Sequence, residues 1–211
     1  MRAISAEFVT SAAHADDTPR DDLPQVALVG RSNVGKSSLI NALTKQRLAR
    51  TSAKPGKTRL ANIYRIDDGP VRGYLVDLPG YGYARGGEVS QREFQALTSE
   101  YFALRDQGHG PDAALLIVDA RHPGLEADAG AHAWLAALGV PTIVVANKID
   151  KLSRAERART ARQRAEALNA PVVEVSADRG EGLDELWKQI AKLLRSPNPP
   201  SAPRKGAAPP R

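Results

Sequence analysis

One short segment restricts the fold of this chain more than any other feature. Residues 30–37 read Gly-Arg-Ser-Asn-Val-Gly-Lys-Ser and satisfy the pattern G-x-x-x-x-G-K-[ST]. The apolar run 25–29 predicts a buried strand before the segment, and 34–44 reads as the end of a loop followed by a helix. In that setting, backbone N–H groups and the positive end of the helix converge on phosphate oxygens. The sequence therefore predicts a P-loop that binds the phosphates of a nucleotide.

Two P-loop side chains are expected to have distinct roles. Lys36 should reach the β- and γ-phosphates, and the Ser37 hydroxyl should ligate Mg²⁺. The segment as a whole is predicted to contact the nucleotide through Gly30, Arg31, Ser32, Asn33, Val34, Gly35, Lys36, Ser37 and Ser38.

Beyond the P-loop, short apolar runs alternate with helical patterns. Strands are predicted over 25–29, 61–66, 71–76, 113–118, 142–145 and 172–175, and helices within 34–44 and over 91–105, 125–138, 154–168 and 183–194. The turn at 67–70 joins two of these strands into a hairpin. The alternation predicts a three-layer α/β fold of the Ras-like P-loop NTPase class. We expect a mostly parallel six-stranded sheet, one antiparallel edge strand and helices on both faces.

Composition divides the 211 residues into three parts. Residues 1–24 hold two arginines and five carboxylates and are predicted to be an N-terminal extension, whereas 25–195 form the domain. Residues 196–211 contain six prolines and no carboxylate, which predicts a disordered basic tail. The absence of cysteine excludes disulfides and thiolate metal sites. No apolar run is long enough to span a bilayer, and the segment before the signal-like residues 13–15 is short and polar, so we expect a cytoplasmic protein. A monomer is expected as the default for one compact domain.

A second motif follows the strand predicted at 71–76. Residues 77–80 read Asp-Leu-Pro-Gly, the pattern D-x-x-G. After a P-loop, Asp77 is expected to hold Mg²⁺ through water, and the Gly80 N–H is expected to sense the γ-phosphate. The alternative is a turn that only ends the strand.

A third motif distinguishes guanine from adenine. Residues 147–150 read Asn-Lys-Ile-Asp. The Asp150 carboxylate would accept hydrogen bonds from N1–H and N2–H₂ of guanine, Lys148 would pack along the base, and Asn147 would tie this loop to the P-loop. Adenine would leave the carboxylate unpaired. Ser176 and Ala177 after the last strand would close the pocket, whereas the alternative for the motif is a helix N-cap.

The loop between the first helix and the next strand contains the predicted switch threonine. Thr58, within the segment Pro-Gly-Lys-Thr at 55–58, would fold over Mg²⁺ and the γ-phosphate in the GTP state, with Gly56 and Lys57 beside the nucleotide. Thr51 is the second choice, and an ordinary loop threonine is the alternative. The predicted magnesium ligands are therefore Ser37, Thr58 and Asp77.

Several segments resemble the bacterial EngB family of ribosome-biogenesis GTPases. They are GRSNVGKSS at 30–38, KPGKT at 54–58, DLPGYGYA at 77–84, FVTSAA at 8–13 and VDARH at 118–122. The resemblance covers about residues 5–195. It implies a cytoplasmic, Mg²⁺-dependent GTPase that acts on the large ribosomal subunit and has a link to septation. Two positions depart from the family: Asn147, where many members have threonine, and Asp178, where a non-acidic residue is common.

The residue after Gly80 is Tyr81, where Ras-type enzymes carry the glutamine that positions water. Slow intrinsic hydrolysis is therefore expected, with Lys36, Thr58, Gly80 and Asn33 as the catalytic set. Asn33 resembles an asparagine that coordinates K⁺ in related GTPases, so we hypothesise K⁺-stimulated hydrolysis. In the alternative, Asn33 only stabilises the loop.

Charge suggests where a partner binds. Residues 45–59 hold six basic side chains and no acid, which predicts contact with ribosomal RNA in the GTP state; a solvated loop is the alternative. Five arginines at 154–168 spread around their helix and predict a solvated face. Two other functions stay open: a nucleotide-gated RNA- or ribosome-binding module in which hydrolysis is incidental, and a P-loop kinase or ATPase.

Overall fold

The computed structural model describes residues 3–49, 60–81 and 96–195. Four predictions lie outside these residues: the roles of Gly56, Lys57, Thr58 and Thr51, the first residues of the helix predicted at 91–105, most of the basic segment 45–59, and the tail 196–211.

The described chain forms one sheet and five helices. The strands are β1 (Ala6–Ala12), β2 (Gln25–Gly30), β3 (Ala61–Asp68), β4 (Val71–Asp77), β5 (Ala113–Asp119), β6 (Thr142–Asn147) and β7 (Val172–Glu174). The helices are α1 (Lys36–Thr44), α2 (96–103), α3 (Glu126–Ala137), α4 (Arg154–Leu168) and α5 (Leu183–Leu193). The strand order is β1-β3-β4-β2-β5-β6-β7. β3 runs antiparallel to both of its neighbours, and the other pairs are parallel.

The predicted fold class is confirmed, but the strand count is not, because the sheet has seven strands rather than six. The additional strand is β1, which lies outside β3. Its side chains are mostly exposed and only Ala12 is buried, so the segment has no apolar alternation to reveal it. Backbone pairing with β3 holds it, together with a 2.7 Å hydrogen bond from Ser11 Oγ to Asn62 Oδ1.

The central strands are apolar throughout because helices cover both faces of the sheet. Along β5, Leu115 and Ile117 point to the cluster that contains α1 and α5, whereas Leu116 and Val118 point to the cluster that contains α2 and α3. Trp134 of α3 packs edge-on against Phe102, with ring centroids 4.9 Å apart. Among the described residues, no helix has the length and apolar character needed to cross a membrane.

The parallel strands bring their carboxyl ends to one edge of the sheet. β2 ends at Gly30, β4 at Asp77 and β6 at Asn147, and Asp119 at the end of β5 lies opposite Asn147 in register. Loops that follow the carboxyl ends of parallel strands form the ligand sites of open α/β sheets. The fold therefore gathers the three predicted motifs on one side.

The prediction of a solvated face for the α4 arginines is wrong for Arg164. Its side chain is 1% exposed, and Nη1 donates to the carbonyl of Ala120 at 2.8 Å. Nη2 pairs with Glu174 at the end of β7, and Arg157 also pairs with Glu174. Because the arginines are spread evenly around α4, the sequence cannot show which of them faces the sheet. The buried ion pair between Arg164 and Glu174 was therefore not predicted.

We predict that Arg164→Ala lowers the free energy of unfolding by about 3 kcal/mol, because it removes one partner of a buried ion pair. Arg162→Ala is the matched control on the exposed face of the same helix and should change stability by less than about 0.5 kcal/mol. Urea unfolding followed by circular dichroism measures both. Equal losses in the two variants would contradict a structural role for Arg164.

Candidate nucleotide-binding site

The P-loop connects β2 to α1 and passes very close to other backbone segments. Gly35 has φ +102°, and a Cβ there would lie 2.4 Å from Nδ2 of Asn147. A Cβ on Gly30 would lie 2.5 Å from the carbonyl oxygen of Ile117. Both glycines are therefore required by space, and Gly35 also by its backbone conformation.

Lys36, the first residue of α1, crosses the P-loop with its side chain. It is 8% exposed, and Nζ donates to the carbonyls of Gly30 at 3.2 Å and Arg31 at 3.4 Å. Burial lowers the pKa of Lys36, and the nearby Asp77 carboxylate opposes that shift. The ammonium is thus held at the loop by carbonyl oxygens and by one negative charge.

The half-buried Ser37 and the buried Asp77 form a hydrogen-bonded oxygen pair near that ammonium. Ser37 Oγ donates to Asp77 Oδ2 at 2.7 Å, and Asp77 is 1% exposed. Its second oxygen, Oδ1, is buried without a hydrogen-bond partner. Burial raises the pKa of Asp77, whereas Lys36 and the Ser37 hydroxyl oppose that shift. An unsatisfied buried carboxylate oxygen next to a hydroxyl is a donor set that suits a hard divalent cation.

The segment after Asp77 lies against the P-loop through its backbone. Ser32 N–H donates to the carbonyl of Tyr81 at 3.1 Å, and Tyr81 N–H donates to the carbonyl of Gly30 at 3.3 Å. A Cβ on Gly80 would lie 2.5 Å from Ser32 N. Gly80 is therefore placed directly beside the phosphate-binding loop.

The Tyr81 side chain is buried and bonded to a helix. Its hydroxyl donates to Asp128 Oδ1 of α3 at 2.9 Å. Burial raises the pKa of Asp128, and the hydrogen bond from Tyr81 opposes that shift. The residue in the position of the Ras glutamine thus makes its hydrogen bond to α3.

Asn147 links three loops with one amide group. Nδ2 donates to the P-loop carbonyl of Val34 at 3.0 Å, which is the predicted tie between the two motifs. Oδ1 accepts from Lys148 N–H at 2.8 Å and from Ala177 N–H at 3.1 Å. In this structure the Ala177 N–H, expected to face guanine, is bonded within the protein.

Asp150 is placed in the short helical turn that follows Lys148. Its side chain is 1% exposed, Oδ1 accepts from Ser176 Oγ at 2.6 Å, and Oδ2 pairs with Lys151 Nζ at 2.9 Å. The hydrogen bond from Ser176, together with Lys151, lowers the pKa of Asp150. The structure therefore keeps an ionised carboxylate beside the loop that Asn147 joins to the P-loop.

Asp119 is a site residue that was not predicted from the sequence, where it appears only as part of the segment 118–122. Asp119 Oδ2 lies 2.9 Å from Lys148 Nζ, and Arg121 pairs with both carboxylate oxygens. The available signal was an acidic residue at the carboxyl end of a buried strand. Of the other predicted contacts, Asn33 and Ser38 are exposed on the P-loop and α1.

Comparisons with known proteins agree with this arrangement. A family model described as "50S ribosome-binding GTPase" matches residues 25–148, and one described as "Elongation factor Tu GTP binding domain" matches 105–196. A "Probable GTP-binding protein EngB" of Pelotomaculum thermopropionicum is 42% identical over 199 residues, which are 92% of this chain and 98% of that protein.

Two solved structures of Era are also similar. Aquifex aeolicus Era bound to GDP.AlF4- superposes with a TM-score of 0.67 at 28% identity, over 82% of this chain and 57% of that one. Era in complex with MgGDPNP and nucleotides 1506-1542 of 16S ribosomal RNA gives a TM-score of 0.66 at 28% identity, over 86% of this chain and 59% of that one. This chain thus spans less than two thirds of either Era chain.

Proposed function

The chain belongs to the EngB family of GTP-binding proteins, which are P-loop GTPases. We propose that the site described above binds and hydrolyses GTP, with the residue roles given below. Residues 25–195 form the GTPase domain in this proposal, and residues 1–24 are an extension that adds β1 to the sheet. The observation that carries the proposal is the Asp150 carboxylate, which Ser176 holds beside the loops that Asn147 joins to the P-loop.

Guanine is recognised in this proposal by Asp150 and Lys148, and the Ala177 N–H would exchange its bond to Asn147 Oδ1 for one to guanine. The Asp150 carboxylate accepts from N1–H and N2–H₂ of the base, and Ser176 orients it by its 2.6 Å hydrogen bond. The Lys148 stem lies along the base. Adenine has no donors that match and would leave the buried carboxylate without partners, which is costly.

The phosphates are bound by the P-loop residues 30–38. Lys36 already has its ammonium at the loop, where it would meet the β- and γ-phosphates. The Gly80 N–H, beside Ser32, would donate to the γ-phosphate of GTP. Thr58, with Gly56 and Lys57, would add the contact that differs between the GTP and GDP states.

Magnesium fits the oxygen pair at the end of β4. Ser37 and Asp77 would hold it, and the unpartnered Asp77 Oδ1 would gain a partner, directly or through water. Thr58 is the third proposed ligand. Bound Mg²⁺ neutralises phosphate charge during GTP hydrolysis.

Slow intrinsic hydrolysis is part of the proposal, because the Tyr81 hydroxyl is bonded to Asp128 and cannot orient water as a glutamine does. K⁺ is proposed to assist hydrolysis, because Asn33 is exposed on the P-loop and its amide oxygen is a neutral ligand suited to a monovalent cation.

The GTPase rate should then be at least about tenfold higher in KCl than in NaCl of equal ionic strength. Equal rates would contradict the role of K⁺.

The guanine-binding role of Asp150 is tested by Asp150→Asn. We expect about a 100-fold loss of GDP affinity, because a charged hydrogen-bond acceptor is removed. Xanthine nucleotides should bind to this variant more tightly than to the wild type, since the new amide can donate to the C2 carbonyl of xanthine. Isothermal titration calorimetry measures both affinities.

Asp178→Asn is the matched control, because Asp178 also pairs with Lys151 but is 75% exposed. It should leave GDP affinity within about twofold of wild type. An Asp150→Asn protein that binds GDP like the control would contradict the proposal.

We further propose that the protein is a cytoplasmic monomer that acts in assembly of the large ribosomal subunit. The family model carries the words "50S ribosome-binding GTPase", and the Era complex shows a similar protein on ribosomal RNA. In the described part of 45–59, Lys45 and Arg47 are exposed and can reach RNA phosphates. The link to septation stays a prediction.

Sedimentation of cell extract tests this role. With a non-hydrolysable GTP analogue the wild type should travel with large subunits, and with GDP it should not. Arg47→Glu should weaken the association about tenfold, because a cation at a phosphate contact becomes an anion, whereas Arg162→Glu makes the same charge change on α4 and should not. Equal behaviour of the two variants would contradict the RNA contact.

The second candidate function is a nucleotide-gated binding module in which hydrolysis is incidental. The engagement of Tyr81 with α3 favours it, since the residue after Gly80 is then not free to position the attacking water. A hydrolysis-deficient variant that still complements loss of the wild-type gene would support this candidate. Loss of complementation, with GTP binding retained, would support the enzyme.

A further inference from the structure

Asp119 is a buried carboxylate to which neither the phosphate site nor the base site assigns a role. It is 6% exposed at the end of β5, opposite Asn147 of β6. Although burial favours the neutral form, hydrogen bonds from Arg121 and Lys148 lower the pKa of Asp119 well below its ordinary value. The carboxylate is therefore ionised at neutral pH and has two cationic partners.

The partner that matters is Lys148. Its Nζ lies 2.9 Å from Asp119 Oδ2 and 2.5 Å from the P-loop carbonyl of Asn33. Its backbone has φ +70°, a conformation that a lysine adopts only when its surroundings hold it there. The side chain is thus fixed at both ends, by the Asn147 loop at its backbone and by Asp119 and Asn33 at its ammonium.

We propose that Asp119 is a positioning residue that holds the Lys148 side chain along the guanine-binding face and thereby slows nucleotide release. The proposal rests on the proposed function, because it assumes that Lys148 contacts the base. It assigns Asp119 to nucleotide retention and not to hydrolysis, since the carboxylate is bonded to Arg121 and to Lys148 of the base-binding motif.

A fixed lysine slows release for an entropic reason. A free lysine side chain loses considerable rotamer freedom when it is ordered against a ligand. Here the ion pair with Asp119 orders Lys148 before the nucleotide binds, so that cost does not weaken the complex. Without Asp119, only the carbonyl of Asn33 would hold the ammonium.

Arg121 provides the matched control. It pairs with the same carboxylate, but its side chain is 43% exposed, compared with 25% for Lys148. Exposed ion pairs contribute little. Removing Arg121 leaves the pair between Asp119 and Lys148 in place.

The test is the dissociation rate of fluorescent GDP from the full chain, measured by stopped flow after adding excess GDP. Asp119→Asn should release GDP about tenfold faster than wild type, because a charge-assisted hydrogen bond is lost. Arg121→Gln should stay within about twofold of wild type. The single-turnover rate of GTP hydrolysis should stay within about twofold in Asp119→Asn, since the phosphate-binding residues are unchanged.

A double-mutant cycle separates positioning from a general structural effect. In a Lys148→Met background, Asp119→Asn should no longer change the release rate. The same acceleration in both backgrounds would overturn the proposal, and so would an unchanged rate in the single variant. If the wild type binds no fluorescent GDP, the proposed function itself fails; slow release by the wild type and by Asp119→Asn alike overturns only the role of Asp119.

If Asp119→Asn does not fold, the proposal can still be tested with a variant that keeps Asp119. Carbon-13 NMR titration follows the Asp119 carboxyl in wild type and in Lys148→Met. The carboxyl pKa should rise in Lys148→Met because a cationic partner is lost. An identical titration in the two proteins would overturn the contact on which the proposal rests.

Discussion

The amide of Asn147 is the interaction on which the geometry of the site depends. It joins the P-loop through Val34, its own loop through Lys148 N–H and the loop after β7 through Ala177. These segments are far apart in the chain and meet only because β2, β6 and β7 are parallel strands that end at the same edge. One side chain with two donors and two acceptor positions can satisfy all three segments. The distance between the P-loop and the loop that contains Lys148 is therefore fixed by hydrogen bonds from the Asn147 side chain to backbone groups.

Around that amide the chain buries several charged groups, and each has a specific partner. Lys36 meets two carbonyls, Asp119 meets Lys148 and Arg121, and Asp150 meets Ser176 and Lys151. A buried charge without partners is strongly unfavourable, so these pairings stabilise the folded chain. Asp77 Oδ1 is one of a few buried side-chain atoms of the described residues that lack a hydrogen-bond partner. Because this oxygen lies beside the Ser37 hydroxyl, it is the atom that the proposed magnesium ion would satisfy.

The sequence was most informative where pattern and chemistry coincide. β5 and β6 were predicted because strands covered on both faces are apolar throughout, and the three motifs were placed because each follows such a strand. The residues that were missed depend on tertiary contacts. β1 has one buried side chain and no alternation, and the burial of Arg164 depends on which side of α4 faces the sheet. The contact of Asp119 with Lys148 depends on the register that sets Asp119 opposite Asn147, and the engagement of Tyr81 depends on a bond to α3.

The central claim is that one pocket combines a phosphate-binding loop with an ionised carboxylate that selects guanine. Calorimetric titration of the wild-type chain with GDP, GTP, ADP and ATP in the presence of Mg²⁺ tests it most directly. The account predicts that one equivalent of GDP or GTP binds about 10⁴-fold more tightly than ADP or ATP. Binding of adenine and guanine nucleotides with equal affinity, or no binding of either, would contradict it.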